Sequence, residues 1–313
     1  MATFRERFFH FLDVTSPRTL FSNTAEIKEA ASVLRLCKEQ GLQCGSDSDM
    51  KGYQRLVDAT MHPVTGDLIP APFRVSAIAP VNIPIVYLML TTPSTNLPMT
   101  MFLHWVNQSY NSVCNLCNSA GGGGADRGLQ EGDVKAYVLA TTSACALAFG
   151  LGKAFERAPA SVRRFGVVIP CLATAAANCS NLAFTRMGEI TQGAQLHDES
   201  GRAIDGLSPK AGVVCVAQTA LTRCVLVPAA CLLLPPVAMH GLRSLRLAPT
   251  GPRALVILEL AIIYSSLQAA LPAALAVFPQ SAAFPVAHLE EKFQGLLDME
   301  KRPIKTLYAN KGL

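Results

Sequence analysis

The chain has 313 residues, of which 50% are hydrophobic and only 16% are charged, against about 25% in an ordinary soluble domain. The charges are also unevenly placed, because no Asp, Glu, Lys or Arg occurs between Arg74 and Asp126. A composition this apolar excludes a disordered chain, and it does not suit a nucleic-acid binder despite the net charge of +5. Four further runs lack charged residues, at positions 136–152, 165–185, 224–242 and 260–289.

The runs without charges predict membrane-spanning helices. A helix that crosses a bilayer needs about 20 mostly apolar residues, and the first run is long enough for two such helices. Strands of a membrane barrel would alternate apolar and polar residues, whereas these runs are continuous. The sequence therefore predicts an all-α, polytopic helical membrane protein, with spans near residues 76–92, 99–118, 134–151, 164–185, 218–239 and 254–278.

The remaining charges divide the chain into three regions. The first begins with an amphipathic helix, because Phe4, Phe8 and Phe11 fall on one helical face. The last is expected to be helical around residues 289–299. The regions are a polar helical head at 1–74, a transmembrane bundle at 75–280 with a polar hairpin at 187–211, and a polar C-terminal tail at 281–313.

Several polar side chains fall inside the predicted spans. In the second span, four polar residues from His104 to Asn115 recur at intervals of four, three and four, which places them on one helical stripe. Amides between membrane helices often only hold the helices together, at about 1 kcal/mol or less each. Ionisable residues at membrane depth, here Arg223 and Glu259, usually face a cavity and mark a substrate or ion path. The combination favours a polar pathway lined by His104, Asn107, Gln108, Ser109, Asn111, Asn115, Asn178, Asn181, Thr222, Arg223 and Glu259.

The chemistry of these residues indicates what the pathway carries. Neutral amides and hydroxyls, with one Arg and one Glu, suit a small zwitterion. Its carboxylate would meet Arg223 or an exposed helix N-terminus, and its ammonium group would meet Glu259 or amide oxygens. A tricarboxylate would need several cations facing the cavity. The expected partners are therefore a small-molecule substrate and the lipid bilayer, with no nucleic acid.

Catalytic and metal-binding patterns are not evident in the sequence. No nucleophile with a paired base and orienter is apparent, and no dinucleotide, G-x-S-x-G or H-E-x-x-H motif occurs. Cys114 and Cys117 make one C-x-x-C pair, which does not predict zinc without a second pair or a histidine cluster. We therefore expect no catalytic residues, no metal and no cofactor, and a protein that is not an enzyme.

Short motifs along the chain resemble those of the sideroflexin family. Residues 62–66, His-Pro-Val-Thr-Gly, are similar to the family's His-Pro-Asp-Thr-Gly, with Val in place of Asp. Residues 105–111 resemble its Trp-x-Asn-Gln-Ser-x-Asn signature, and residues 175–181 resemble its alanine-asparagine motif. The terminal Asn-Lys-Gly-Leu, 310–313, also fits. These motifs occur in the family's order over essentially the whole chain.

The resemblance implies a location and an activity. It implies a multi-pass protein of the mitochondrial inner membrane that transports serine and other small neutral amino acids and so supplies one-carbon metabolism. Residues 17–21 look most like the branch linked to citrate. A tricarboxylate (citrate) carrier is therefore the alternative, and a non-transport scaffold or assembly factor is a second one. At the mouth of the first span, His62 is expected to serve structure or gating, together with the other motif residues Pro63, Thr65 and Gly66.

The number of spans is five or six. Six spans would place both termini on the side that carries more Lys and Arg, which the positive-inside tendency favours. The family resemblance instead implies about five. In the five-span interpretation the first span is re-entrant, because Pro80 and Pro84 interrupt it. We expect five.

Overall fold

The computed structural model describes residues 3–40, 46–62, 65–93, 96–118, 131–159, 168–297 and 302–312. The protein is mainly helical, as a polytopic helical membrane protein should be. Among the described residues, three helices are long and apolar enough to cross a membrane by length and composition, at 134–154, 209–244 and 252–275. A fourth apolar helix, at 75–89, is shorter.

Three helices form the head: α1 (Phe4–Val14), α2 (Thr24–Gln40) and α3 (Asp47–Thr60). Helix α1 begins with a capping box, in which the Thr3 backbone N–H donates to the Glu6 carboxylate over 2.7 Å. The predicted amphipathic face is confirmed, because the rings of Phe4 and Phe8 stack with centroids 6.4 Å apart and Phe11 is buried. This face attaches the head to the bundle.

Among the described residues eight further helices follow, and a π-helical segment joins two of them into one continuous run. Ala220–Leu226 is π-helical and joins α9 to α10 without a break, so that residues 209–244 form one run. Pro84, Pro235 and Pro272 lie inside helices rather than ending them. The helices are α4 (Ile78–Thr91), α5 (Leu97–Cys117), α6 (Glu131–Glu156), α7 (Val168–Thr185), α8 (Met187–Thr191), α9 (Pro209–Thr219), α10 (Val227–Ser244) and α11 (Pro252–Leu275).

A small antiparallel sheet, which the sequence analysis did not predict, joins the polar hairpin to the tail. Its strands are β1 (Ala194–His197), β2 (Ala203–Ser208), β3 (Ser281–Pro285) and β4 (Thr306–Asn310), in the order β2-β1-β4-β3. The helix expected over 289–299 is wrong for its described part, 289–297, which holds only a short 3₁₀ turn and an isolated bridge. Leu289 and Phe293 have helical spacing, but both are buried against the sheet.

A buried ionic network fixes the sheet to the bundle. The Arg186 guanidinium pairs with both oxygens of the Glu189 carboxylate, and it also donates to the Thr219 hydroxyl over 3.0 Å. A further bond, over 2.8 Å, reaches the backbone carbonyl of Lys311 in the tail. The Lys311 ammonium group is itself buried, and this burial lowers its pKa to about 8. At Gly212, a Cβ atom would collide with the carbonyl of Glu189, so only glycine lets α9 approach this network.

Head and tail lie at the same end of the bundle. The Arg7 guanidinium donates to the carbonyl of Ala276 over 2.8 Å, just beyond the end of α11. His62 of the head and Asn310 of the tail line one pocket. Five crossings would place head and tail on opposite faces of the membrane, so these contacts argue against the five-span expectation and favour six. The span count itself stays a prediction.

We expect the Arg186 network to dominate the stability of this end of the molecule. Glu189→Gln leaves a buried guanidinium without its counterion, which typically costs about 3–5 kcal/mol. The measurement is denaturant unfolding of the purified protein in detergent. Asp13→Asn is the control, because it breaks an exposed ion pair to Arg55 at 3.1 Å and should cost less than about 1 kcal/mol. Equal, small losses for the two variants would contradict a stabilising role for the network.

Candidate functional site

A cavity of about 230 Å³ lies inside the bundle, between α4, α5, α7, the π-helical segment, α10 and α11. We call it the central cavity. Five predicted pathway residues line it, namely Asn107, Asn111, Asn115, Asn178 and Arg223. The apolar part of the wall is formed by Ile78, Ile83, Val86, Val227, Pro228, Leu232, Ile263, Leu267 and Leu271. The cavity lining therefore combines neutral amides and the guanidinium of Arg223 with apolar side chains.

The π-helical segment carries Arg223 on the cavity side. A π-helix holds an extra residue in its turn, which changes the direction of the side chains that follow, and such segments are frequent at functional sites. Arg223 is half-buried, and the next residue, Cys224, also lines the cavity. Thr222 is not among the residues that line the cavity. Its buried hydroxyl donates to the carbonyls of Gln218 and Thr219 over 3.0 and 3.1 Å, and its path role stays a prediction.

At the seam between α5 and α7, several predicted pathway residues form hydrogen bonds between the two helices. The Asn181 amide is fully buried, and its N–H groups lie 3.0 Å from the Gln108 carbonyl and 2.8 Å from the Ser112 hydroxyl. The Asn115 amide donates to the Asn181 side-chain oxygen over 3.2 Å. Gln108 and Asn181 therefore hold helices together and do not line the central cavity. Asn115 does both, since it also faces the cavity.

Three other predicted pathway residues lie outside the central cavity. His104 lines a separate groove of about 630 Å³ between α5 and α6. It lies two turns, about 10 Å, nearer the start of α5 than Asn111. The Ser109 hydroxyl forms a hydrogen bond of 2.8 Å with the Tyr137 hydroxyl. Glu259 is half-buried one turn before the cavity residue Ile263.

The structure adds two polar residues that were not among the predicted pathway residues. Asn82 of α4 lines the central cavity, and its amide donates to the carbonyl of Ile78 over 2.7 Å. Thr174 lines it one turn before Asn178. The signal for Asn82 was present in the sequence, because a lone amide between Pro80 and Pro84 interrupts an otherwise apolar run.

The His62 motif forms a tight turn outside the bundle. The imidazole Nδ1 accepts a hydrogen bond from the Thr65 backbone N–H over 3.1 Å, and the His62 carbonyl accepts one from Gly66 over 2.9 Å. Gly66 has φ of +72°, a left-handed conformation that favours glycine. Pro63 lies outside the described residues. His62 is buried and lines a pocket in the head rather than the central cavity.

Among the residues that the structure describes, no group of three or more His, Cys, Asp or Glu side chains is placed to hold a metal ion. The Cys114 thiol of the C-x-x-C pair is buried and lines the central cavity, whereas Cys117 is not part of the cavity lining. The two cysteines therefore do not act as one site in this arrangement.

The seam and the cavity predict opposite effects for two similar substitutions. Asn181→Leu removes the buried amide that is hydrogen-bonded to Gln108, Ser112 and Asn115, so we expect a loss of about 1–3 kcal/mol in unfolding free energy. Asn111→Leu places an apolar group against the cavity and should change stability by less than about 0.5 kcal/mol. Thermal unfolding of both variants in detergent makes the comparison. A larger loss for Asn111→Leu would show that Asn111 serves the fold.

Comparisons with known proteins cover the whole chain. The family model of the sideroflexins matches residues 1–313. A protein of Dictyostelium discoideum named Sideroflexin is 32% identical over 99% of this chain and 94% of its own length. Human Sideroflexin-5 is 32% identical over 99% of this chain and 90% of its own length, and mouse Sideroflexin-1 is 31% identical over 100% and 94%. No solved structure matches the chain.

Proposed function

The chain belongs to the sideroflexin family, and we propose that it carries serine and other small neutral amino acids across the mitochondrial inner membrane, supplying one-carbon metabolism. Family membership supports a mitochondrial transporter-type role. One observation carries the choice of substrate. A single guanidinium, that of Arg223, faces a small internal cavity whose other polar lining groups are neutral.

The charges of the central cavity match those of an amino acid. The planar guanidinium of Arg223 is suited to bind a carboxylate through two parallel hydrogen bonds. Among the described lining residues there is no Asp or Glu, so the ammonium group would bind to the amide oxygens of residues such as Asn107, Asn111 and Asn178. A neutral zwitterion adds no net charge to the site, which limits the cost of holding it at membrane depth.

Size and polarity narrow the substrate further. The cavity volume of about 230 Å³ is below the roughly 300–1,000 Å³ that is typical of pockets for drug-sized ligands. The apolar wall, which includes Val227, Pro228 and Leu232, can accept a small side chain but offers no charged partner. Small neutral amino acids meet both conditions.

The alternatives fit the cavity less well. Citrate carries three carboxylates, whereas Arg223 is the single Lys or Arg among the described lining residues. A scaffold has no need for an internal charge, which costs roughly 2.5–3.5 kcal/mol on insertion scales. The described lining also contains no His, Asp or Glu that could act as a general base, so binding and release fit the site better than catalysis.

We expect Arg223 to be required for uptake of serine by the purified protein in liposomes. Arg223→Lys should raise the KM about tenfold or more, because an ammonium group does not reproduce the bidentate contact. Arg223→Gln should nearly abolish saturable uptake. The exchange of charges, Arg223→Glu with Glu259→Arg, should also remain inactive, because a glutamate at position 223 would repel the substrate carboxylate.

Arg253→Gln is the matched control for these variants, because Arg253 is exposed at the start of α11 and its loss should leave uptake unchanged. Asn111→Leu should lose uptake at normal protein abundance. Citrate uptake in the absence of serine uptake would favour the tricarboxylate carrier. No uptake of either solute by folded protein would favour the scaffold, and recovery of uptake by the charge exchange would show a structural ion pair instead of a substrate contact.

A further inference from the structure

A second chamber lies in the head, at the end of the bundle where the tail also packs. This head pocket has a volume of about 770 Å³ and is lined by residues of α1, α2, α3, the His62 turn and the tail. Its polar groups include His10, Asp58 and Asn310. The side-chain oxygen Oε1 of Gln280, another lining residue, is buried without a hydrogen-bond partner among the described residues. Such an oxygen is a hydrogen-bond acceptor for a polar solute or a water molecule.

One apolar cluster lies between the head pocket and the central cavity. Phe11 belongs both to the lining of the head pocket and to this cluster. Val227, Leu267 and Leu271 belong both to the cluster and to the lining of the central cavity. We call it the gate cluster, and its buried members are Phe11, Val75, Ala79, Val227, Leu267, Leu271, Ala274, Leu275 and Ala276.

We propose that the head pocket is the entrance of the transport pathway and that the gate cluster, with Phe11 at its outer face, is the closed gate on that side. The identity of the solute rests on the proposed function, but the barrier does not. A layer of packed apolar side chains excludes water and polar solutes, which is how hydrophobic constrictions close membrane pathways. With Phe11 only 2% exposed and Leu275 only 1% exposed, the layer is closed in this structure.

The elements beside the gate cluster are suited to move. Pro272 lies inside α11 between Leu271 and Ala274, and its missing N–H leaves the helix without one backbone hydrogen bond at this level. The Ser76 hydroxyl, next to Val75, is buried without a hydrogen-bond partner among the described residues. In an open, hydrated gate a water molecule would bond this hydroxyl, and that hydrogen bond would offset part of the free energy that opening costs.

Helix α1 is the element that closes the gate. Apart from Phe11, its described contacts with the end of α11 include hydrogen bonds from the Arg7 guanidinium to the carbonyls of Ala276 and Val277, over 2.8 and 3.4 Å. On its other side, α1 contacts α3 of the head through the exposed Asp13–Arg55 pair. A small displacement of α1 with the head would therefore withdraw Phe11 from the cluster.

A native cysteine reports on the gate directly. Cys231 packs against the gate cluster and lines the central cavity. An anionic, membrane-impermeant methanethiosulfonate reagent, whose charge suits a cavity that contains Arg223, is added to the purified protein, and peptide mass spectrometry follows the modification of Cys231. Cys145, which lines the groove between α5 and α6, is the internal reference.

We expect Phe11→Ala to accelerate modification of Cys231 about tenfold or more relative to Cys145. Loss of the buried ring removes packing that keeps the gate closed, so the equilibrium constant for opening should rise more than about tenfold. Phe9→Ala is the matched control, since Phe9 is 51% exposed on the same helix, and it should leave the rate unchanged. Phe11→Leu should give an intermediate rate. Leu275→Ala tests the cluster from α11 and should also accelerate modification.

Circular dichroism and thermal unfolding identify variants that remain folded. Folded Phe11→Ala and Leu275→Ala proteins with the parental rate at Cys231 would overturn the gate, as would an equal acceleration by Phe9→Ala. If Phe11→Ala opens the cavity but the parent takes up no amino acid, the gate stands and the proposed substrate fails. If serine is transported but Phe11→Ala changes neither access to Cys231 nor uptake, the proposed substrate stands and the gate fails.

Discussion

A permanent positive charge inside an apolar helical bundle needs partners or water, and this constraint explains much of the structure around Arg223. A guanidinium is a delocalised cation with five N–H donors, so the bundle has to surround it with polar groups. Amides from α4, α5 and α7 converge on the same cavity, and the π-helical segment gives Arg223 its place among them. A helix of regular α geometry through residues 220–226 would present a different face.

The polar residues of the bundle fall into two sets, one that joins helices and one that faces the cavity. Asn181 and Gln108 are buried in the seam between α5 and α7, where their hydrogen bonds join the helices. Asn107 and Asn111 face the cavity, and Asn115 belongs to both sets. The seam therefore holds in place the amides that face the cavity. A transporter needs such an arrangement, because the binding groups have to be oriented before the solute arrives.

The sequence predicted the helical class and much of the cavity for identifiable reasons. Runs without charges long enough to cross a bilayer leave little choice but helices, and the polar residues with repeated spacing from His104 to Asn115 do lie on one helix, α5. It did not show which members of the stripe meet a neighbouring helix. That choice depends on how α5 packs against α6 and α7, so His104 and Asn111 face different spaces.

The sheet and the structure of the tail could not be predicted from the sequence, for a different reason. Strands β1 and β4 pair across more than one hundred residues, and each of the strands is too short to show a clear alternation. Leu289 and Phe293 have the spacing of a helical face, yet they pack against that sheet. Tertiary contacts decided the local structure here. The tail that this sheet holds lies at the same end of the bundle as the head, an arrangement that favours an even number of spans.

The central claim is that Arg223 binds the carboxylate of a small amino acid, and the most direct test changes the ligand rather than the protein. Labelled serine is bound to the purified protein and displaced by unlabelled serine or by serinamide, which keeps the ammonium and hydroxymethyl groups but lacks the carboxylate. The account predicts that serinamide fails to displace serine even at about 100-fold higher concentration, as the loss of a charge-assisted contact implies. Equal displacement by the two compounds would contradict it.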